Sequence, residues 1–293
     1  MNTAWLVTGA RGQLGHDLLE ALAARPGDVV TAVGRAEADL TDDASVRSMV
    51  RSWLDSATGD RAVLVNAAAY TAVDAAETDE ETALVVNGHA PGWMAQELAG
   101  RGRLVHVSTD YVFDGRASEP YPVDAPLAPR SAYGRTKAAG ERAVAAAGGD
   151  SVVVRTAWVY GRHGGNFVRT MTRLEAQNET ISVVDDQIGS PTWSADLAEG
   201  LVALGAADAA VPLVLHYTDA GQVSWHGLAQ AVFTELGADP ARVLRTTSEA
   251  FVRPAPRPAY SVLDGSVWDA AGWTTRPDWR QALTEAMREG FRD

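Results

Sequence analysis

The sequence predicts an α/β fold: a doubly wound parallel sheet with helices on both faces, followed by a smaller C-terminal lobe. Three observations carry that expectation. Short apolar runs alternate with stretches of helical period through the first half of the chain. The first run ends in a turn with glycines at positions 9, 12 and 15, and this turn opens a helix. Beyond about Ala157 the alternation weakens, and a second lobe begins there.

The elements follow in order. Residues 4–7 are a buried parallel strand. In the turn after it, Gly9 takes the tight bend, Gly12 lets backbone approach a pyrophosphate, and Gly15 lets the helix through Leu18, Leu19 and Leu22 pack closely. A helix start of this kind presents free N–H groups to phosphates. Residues 29–33 are the second strand and end at Gly34 and Arg35, where dinucleotide folds read the ribose. An acid there would favour NAD. Arg35, with Arg11 beside it, favours the 2′-phosphate of NADPH. Asp39 and Leu40 border the adenine in this reading, and Asp42 and Asp43 open the next helix.

Residues 61–65 form a strand that runs into Asn66, three alanines, Tyr70 and Thr71, small enough for backbone to lie against a flat cofactor. Residues 74–81 read as an acidic, solvated face or loop. A helix spans 84–98 and carries Asn87, which either supports neighbouring backbone or faces water. The strand at 104–107 ends in Ser108, Thr109 and Asp110, and α/β folds keep their chemistry at such carboxyl ends. A further strand covers 152–154. Beyond it come helices near 166–175, 196–204, 228–236 and 279–291, strands near 181–184 and 213–217, and a proline-stiffened stretch at 253–260. Residues 1–157 are expected to bind a dinucleotide, completed by parts of 192–220 and the C-terminal helix. Residues 158–293 are expected to form mainly the substrate lobe.

Composition narrows the function. The chain has 293 residues, a formal charge of −13 and no cysteine, so thiolate and disulfide chemistry are excluded. No basic cluster suits nucleic acid and no apolar run suits a membrane. A cytoplasmic location fits. The six histidines lack ligand spacing, and no metal is expected.

Tyr133 and Lys137 stand four residues apart, one helical turn, on the same face. Lys137 is the only lysine among 25 lysine and arginine residues. A compact ammonium beside a phenol favours the phenolate and lowers the phenol's pKa from about 10. Tyr133 would then deliver a proton near neutral pH, while Thr109 donates to a developing oxyanion.

The glycine turn, Asn66 to Ala69, Ser108 to Phe113 and the Tyr133/Lys137 pair together resemble the extended short-chain dehydrogenases/reductases, whose nucleotide domain is a Rossmann fold. Within that group the chain is similar to the dTDP-4-dehydrorhamnose reductase family. The closer marks are Asn66 to Glu77, Arg155 to Tyr160, Asp186 to Thr192 and the arginine-proline stretch through Ser261. The likeness runs from Gly9 to about Leu263. One departure is Tyr260, where asparagine is expected, and it bears on fine substrate preference.

The resemblance implies roles. Tyr133 is the proton donor, Lys137 its partner and a ribose contact, and Thr109 holds the keto oxygen. Asp110 and Trp158 touch the sugar. Gly12, Gln13 and Leu14, with Asp39, Leu40, Ala69, Tyr70 and Thr71, line the cofactor. Arg253 and Arg257 are candidates for the substrate's diphosphate. The implied reaction is NADPH-dependent reduction, with NADH as the alternative cofactor, of the 4-keto group of dTDP-4-dehydro-6-deoxy-L-mannose to dTDP-L-rhamnose. Reduction of a related dTDP-keto-deoxysugar, a non-catalytic regulatory subunit, and epimerase or dehydratase activity stay open at this point, as does a homodimer.

Overall fold

The computed structural model describes residues 2–291. Met1, at the head of the expected first strand, and Arg292 and Asp293, at the end of the expected second lobe, lie outside the described residues. The first half alternates as the periodicity requires: β1 (Thr3–Thr8), α1 (Gln13–Ala23), β2 (Val29–Val33), α2 (Asp43–Ser56) and β3 (Arg61–Asn66). A 3₁₀ turn (Ala75–Glu77) leads into α3 (Glu80–Leu84), which continues through one π-helical stretch (Val85–His89) into α4 (Ala90–Leu98). Then come β4 (Arg103–Thr109), α5 (Ala132–Ala147) and β5 (Asp150–Thr156). The remainder holds β6 (Val159–Tyr160), α6 (Phe167–Gln177), β7 (Ile181–Val184), β8 (Ile188–Gly189), β9 (Thr192–Trp193), α7 (Ser194–Ala206), β10 (Val214–His216) and β11 (Val223–Ser224). It closes with α8 (Trp225–Glu235), β12 (Val243–Thr246), α9 (Ser266–Ala271) and α10 (Trp279–Gly290).

Six parallel strands form the central sheet in the order β10-β5-β4-β3-β1-β2. Side chains alternate across it. Trp5, Val7, Val63 and Val65 pack on one face against Leu18 and Leu22 of α1 and Leu197 and Leu201 of α7. Ala4, Leu6, Leu64 and Leu104 pack on the other against α2 and α4. The chain reverses its direction across the sheet between β1 and β3, so the loops after these two strands part at the carboxyl edge and leave a crevice.

Small residues let α5 settle close to its neighbours. A Cβ on Gly134 would lie 2.2 Å from Tyr111 O, and one on Gly140 would lie 2.2 Å from Asn87 O. A third cluster, built on Tyr160, Val168, Leu228, Val232, Phe233, Leu283 and Met287, lies in the later part of the chain. The C-terminal helix departs from expectation. Its apolar face, Leu283, Ala286 and Met287, joins this third cluster instead of completing the sheet. Trp268 of α9 and the apolar face of α7 supply that cover. No helix among the described residues is long and apolar enough to cross a membrane.

Candidate active site

The glycine turn has the geometry its spacing requires. Gly9 has φ +70°, and a Cβ there would lie 2.7 Å from Ala68 N. A Cβ on Gly15 would lie 2.1 Å from Gly9 O. Gly12 caps α1 without a side chain, and no acidic residue stands in the first turn, so the helix start is open to an anion. These features fit a dinucleotide pyrophosphate. Gln13 Oε1 accepts a hydrogen bond from Asn166 Nδ2 at 2.8 Å, which draws the start of α6 to the turn.

The ribose end is less simple than the sequence suggests. Arg35 is exposed at the end of β2, with no hydrogen bond or ion pair among the described residues. Arg11 is paired with Glu37, whose other oxygen accepts from Gly34 N at 2.8 Å. An acid therefore does stand beside the strand end, two residues past Arg35. It is occupied by Arg11 and the turn. Asp39 folds onto Thr41, accepting from its N–H at 2.9 Å and its hydroxyl at 2.7 Å, and these bonds hold its carboxyl below the usual range. Leu40 beside it is half-buried.

The loop after β3 is tied down by two asparagines. Asn66 accepts from Thr8 Oγ1 at 2.7 Å and from Ala68 N at 3.2 Å. Asn87 accepts from Tyr70 N at 2.8 Å and donates to Tyr70 O at 3.1 Å and Thr136 Oγ1 at 3.1 Å. Asn87 thus supports active-site backbone. It links the Tyr70 backbone to Thr136 of α5, one residue from Lys137. The acidic stretch after this loop is not merely solvated. Glu77 Oε1 accepts from Ala132 N at the start of α5, and Glu80 pairs with Arg135.

Thr109 ends β4, and Ser131 caps α5 by accepting from Gly134 N at 3.1 Å. Tyr133 is held near Thr109 and meets Tyr111 edge-on at 5.5 Å. Burial pushes its phenol up to about 12, with the Thr109 hydroxyl pulling back and Asp110 pushing further. The expected lowering by Lys137 is not found. Lys137, 2% exposed, donates to Val107 O at 2.6 Å, and its Nζ lies 3.5 Å from His106 Nε2. Burial brings its own pKa down to about 8, partly offset by Glu141. In this arrangement the ammonium engages β4 backbone, and Tyr133 stays a neutral phenol across the physiological range.

Residues to which the sequence assigns no role in the site complete the floor. His106 is fully buried and, by burial first and Lys137 second, stays neutral. Its Nδ1 lies 3.1 Å from Asn66 Nδ2, so it bridges the end of β3 to Lys137. Glu141 and Arg155 form a buried ion pair at 2.8 Å, and Ser108 Oγ donates to Glu141 Oε1 at 2.6 Å. Pairing keeps this charge tolerable beneath the site. The periodicity of α5 alone cannot reveal a partner 14 residues away on another element.

On the substrate side Asp110 is buried. Thr109 Oγ1 donates to its Oδ1 at 2.9 Å, while Oδ2 makes no hydrogen bond within normal geometry although the Ser261 hydroxyl is near. Burial raises its pKa to about 6, with the Ser261 and Thr109 hydroxyls opposing. Trp158 is the one non-glycine residue with positive φ among the described residues, at +49°. Its indole stacks on Trp225 at 3.5 Å and 6°, and a Cβ on Gly189 would lie 2.4 Å from it. Tyr260 donates its hydroxyl to Gln222 Oε1 at 2.9 Å. Arg257 and Arg253 lie 3.0 and 3.8 Å from Asp74.

A glycine-turn dinucleotide crevice, a Thr-Tyr-Lys set at the carboxyl edge and a second lobe facing it define an extended short-chain dehydrogenase/reductase. Comparison with known proteins narrows this. The profile of the RmlD substrate binding domain matches residues 3–291. A dTDP-4-dehydrorhamnose reductase of Streptomyces griseus is 52% identical over 97% of this chain and 92% of its own. A probable dTDP-4,6-dihydroxy-2-methyloxan-3-one 4-ketoreductase of Streptomyces antibioticus is 50% identical over 97% of this chain and 94% of its own. A crystal structure of dTDP-4-dehydrorhamnose reductase from Bacillus anthracis in complex with NADP superposes with a TM-score of 0.91 at 33% identity, covering 99% of this chain and all of that one. The chain belongs to the dTDP-4-dehydrorhamnose reductase family and is an oxidoreductase.

Proposed function

We propose that this protein reduces the 4-keto group of dTDP-4-dehydro-6-deoxy-L-mannose to give dTDP-L-rhamnose, with NADPH as reductant. The observation that carries the reading is the neutral phenol of Tyr133, half-buried and desolvated beside Thr109 at the edge of a dinucleotide crevice. The bound reduced nicotinamide supplies the hydride. Tyr133 gives its proton to the oxygen at C4, and a phenol held near 12 reaches that moment protonated. Thr109 holds the same oxygen and stabilises its growing charge. Lys137, fixed by Val107 O, supplies the nearby positive charge and a ribose contact. Asp110 and Trp158 hold the sugar, and Arg257, with Arg253 behind it, meets the diphosphate.

Arg35 reads the 2′-phosphate in this account. The NADP bound in the Bacillus anthracis relative supports that choice. A second reading is reduction of a related dTDP-keto-deoxysugar. It is favoured by the Streptomyces antibioticus relative and by another from Streptomyces niveus, a dTDP-4-keto-6-deoxy-D-glucose reductase at 46% identity. Cofactor oxidation with both keto sugars and both cofactors separates these. The expected result is the higher kcat/KM for the L-manno ketone with NADPH. Equal turnover with NADH would remove Arg35 as reader, and no turnover with any dTDP-keto sugar would remove the enzyme reading.

A further inference from the structure

Asp74 lies three residues beyond the cofactor-lining Thr71, in a loop that α5 and Asn87 hold in place. It reaches across the cleft to the arginine-proline strap. Its Oδ1 accepts from Ala255 N at 3.2 Å. Its Oδ2 lies 3.0 Å from Arg257 Nη2 and 3.8 Å from Arg253 Nη1. Arg257 Nη1 donates to Ala255 O at 3.2 Å, and among the described residues the guanidinium has no other partner. The side chain is about one-fifth exposed, and it lines a cleft with Tyr111, Ser131 and Pro258, next to Tyr133.

One carboxylate here serves two guanidiniums, so the cluster keeps a net positive charge. The backbone carbonyl takes Nη1 and the carboxylate takes Nη2 of Arg257, which limits the rotamer freedom of the guanidinium before any ligand arrives while each nitrogen keeps a second N–H to offer. The neighbouring strap is rigid for its own reasons. Prolines at 254, 256 and 258 fix the backbone, and Ala259 N and Tyr260 N both donate to Gly115 O. Only the link at Asp74 ties Arg257 itself to the cofactor side of the cleft.

We infer that Asp74 is a positioning residue for substrate recognition: it holds Arg257, from the cofactor loop, in the orientation that receives the diphosphate of the nucleotide sugar. This rests on the assignment of Arg257 to the diphosphate made above. It also makes the substrate strap answer to the cofactor loop, because Asp74 belongs to the same loop as Tyr70 and Thr71.

The test is a double-mutant cycle read by calorimetric titration of dTDP and by steady-state kinetics with the dTDP-keto sugar. Arg257→Ala should weaken dTDP binding about 100-fold. Asp74→Asn should weaken it about tenfold and raise KM by a similar factor, with kcat and NADPH affinity within twofold of the parent. Asp74→Glu should recover most of the loss. In the Arg257→Ala background Asp74→Asn should have no further effect. Normal dTDP binding by Arg257→Ala would overturn the diphosphate assignment itself. A large loss in Arg257→Ala, with Asp74→Asn either silent alone or fully additive, would leave that assignment standing and overturn the role of Asp74. If Asp74→Asn does not fold, Asp74→Ser serves in the same cycle.

Discussion

The two walls of the cleft are held by different physics. The proposed catalytic wall, on β4 and α5, is largely buried and short-range. Lys137, His106, Thr109 and the Glu141–Arg155 pair are all buried; Thr109 bonds its chain neighbour Asp110, and the others find partners on the adjoining strand or helix. The substrate wall is assembled from distant segments. Trp158 stacks on Trp225, Asp74 reaches residues 253–257, and Tyr260 meets Gln222. Its groups are half exposed and its bonds cross between loops. In the proposed mechanism the proton chemistry is set by desolvation, which a rigid sheet enforces, and recognition of the sugar is set by contacts that a single substitution can redirect.

The largest expected effect breaks the catalytic wall alone. Tyr133→Phe removes the proton and little volume, so kcat should fall about 10²- to 10⁴-fold while NADPH affinity stays near normal. Single-turnover kinetics with titrated cofactor checks it. A variant with near-normal kcat would remove Tyr133 as donor.

Asp110 stands at the junction and sharpens the comparison through pH. Its folded pKa, about 6, lies above the unfolded value near 3.8, so the folded state holds the proton more tightly. That stability is present below about pH 4 and is lost as pH rises through about 6. Denaturant titrations from pH 4 to 7 should therefore show the parent losing stability relative to Asp110→Asn, on the order of 3 kcal/mol. Parallel profiles for the two proteins would mean that Asp110 titrates normally.

The smallest effect belongs to the substrate wall. Trp158→Ala removes the stacked indole and leaves the backbone at φ +49°, and KM for the keto sugar should rise roughly tenfold with a much smaller change in kcat. If kcat fell by the larger factor, Trp158 would belong with the reacting atoms.

The legibility of the two walls differs for the same reason. The glycine turn, the strand-end Thr109 and the Tyr133/Lys137 spacing are local patterns, and Gly9 at φ +70° is the kind of backbone that only its residue type permits without strain. The alternation of Trp5 and Val7 with Ala4 and Leu6 likewise wrote the two-faced sheet into the sequence. What could not be read was pairing at a distance. Glu37 on Arg11, Asp74 on Arg257, and Lys137 on Val107 O instead of Tyr133 all depend on where loops and strand ends come together. The sign of the Tyr133 shift follows the same rule: desolvation outweighs a lysine whose charge points at backbone. The apolar face of the C-terminal helix would suit either cluster, so sequence alone does not place it.

The proposed reaction delivers hydride from the nicotinamide to C4 of a dTDP-keto-6-deoxysugar and the Tyr133 proton to the oxygen on that carbon. It is tested most directly by supplying NADPH labelled with deuterium at the transferable nicotinamide position and reading the product by NMR. The account predicts deuterium at C4 of dTDP-L-rhamnose, one label for each NADPH consumed. A product without label at C4, or one epimerised or dehydrated while the cofactor remains reduced, would contradict it.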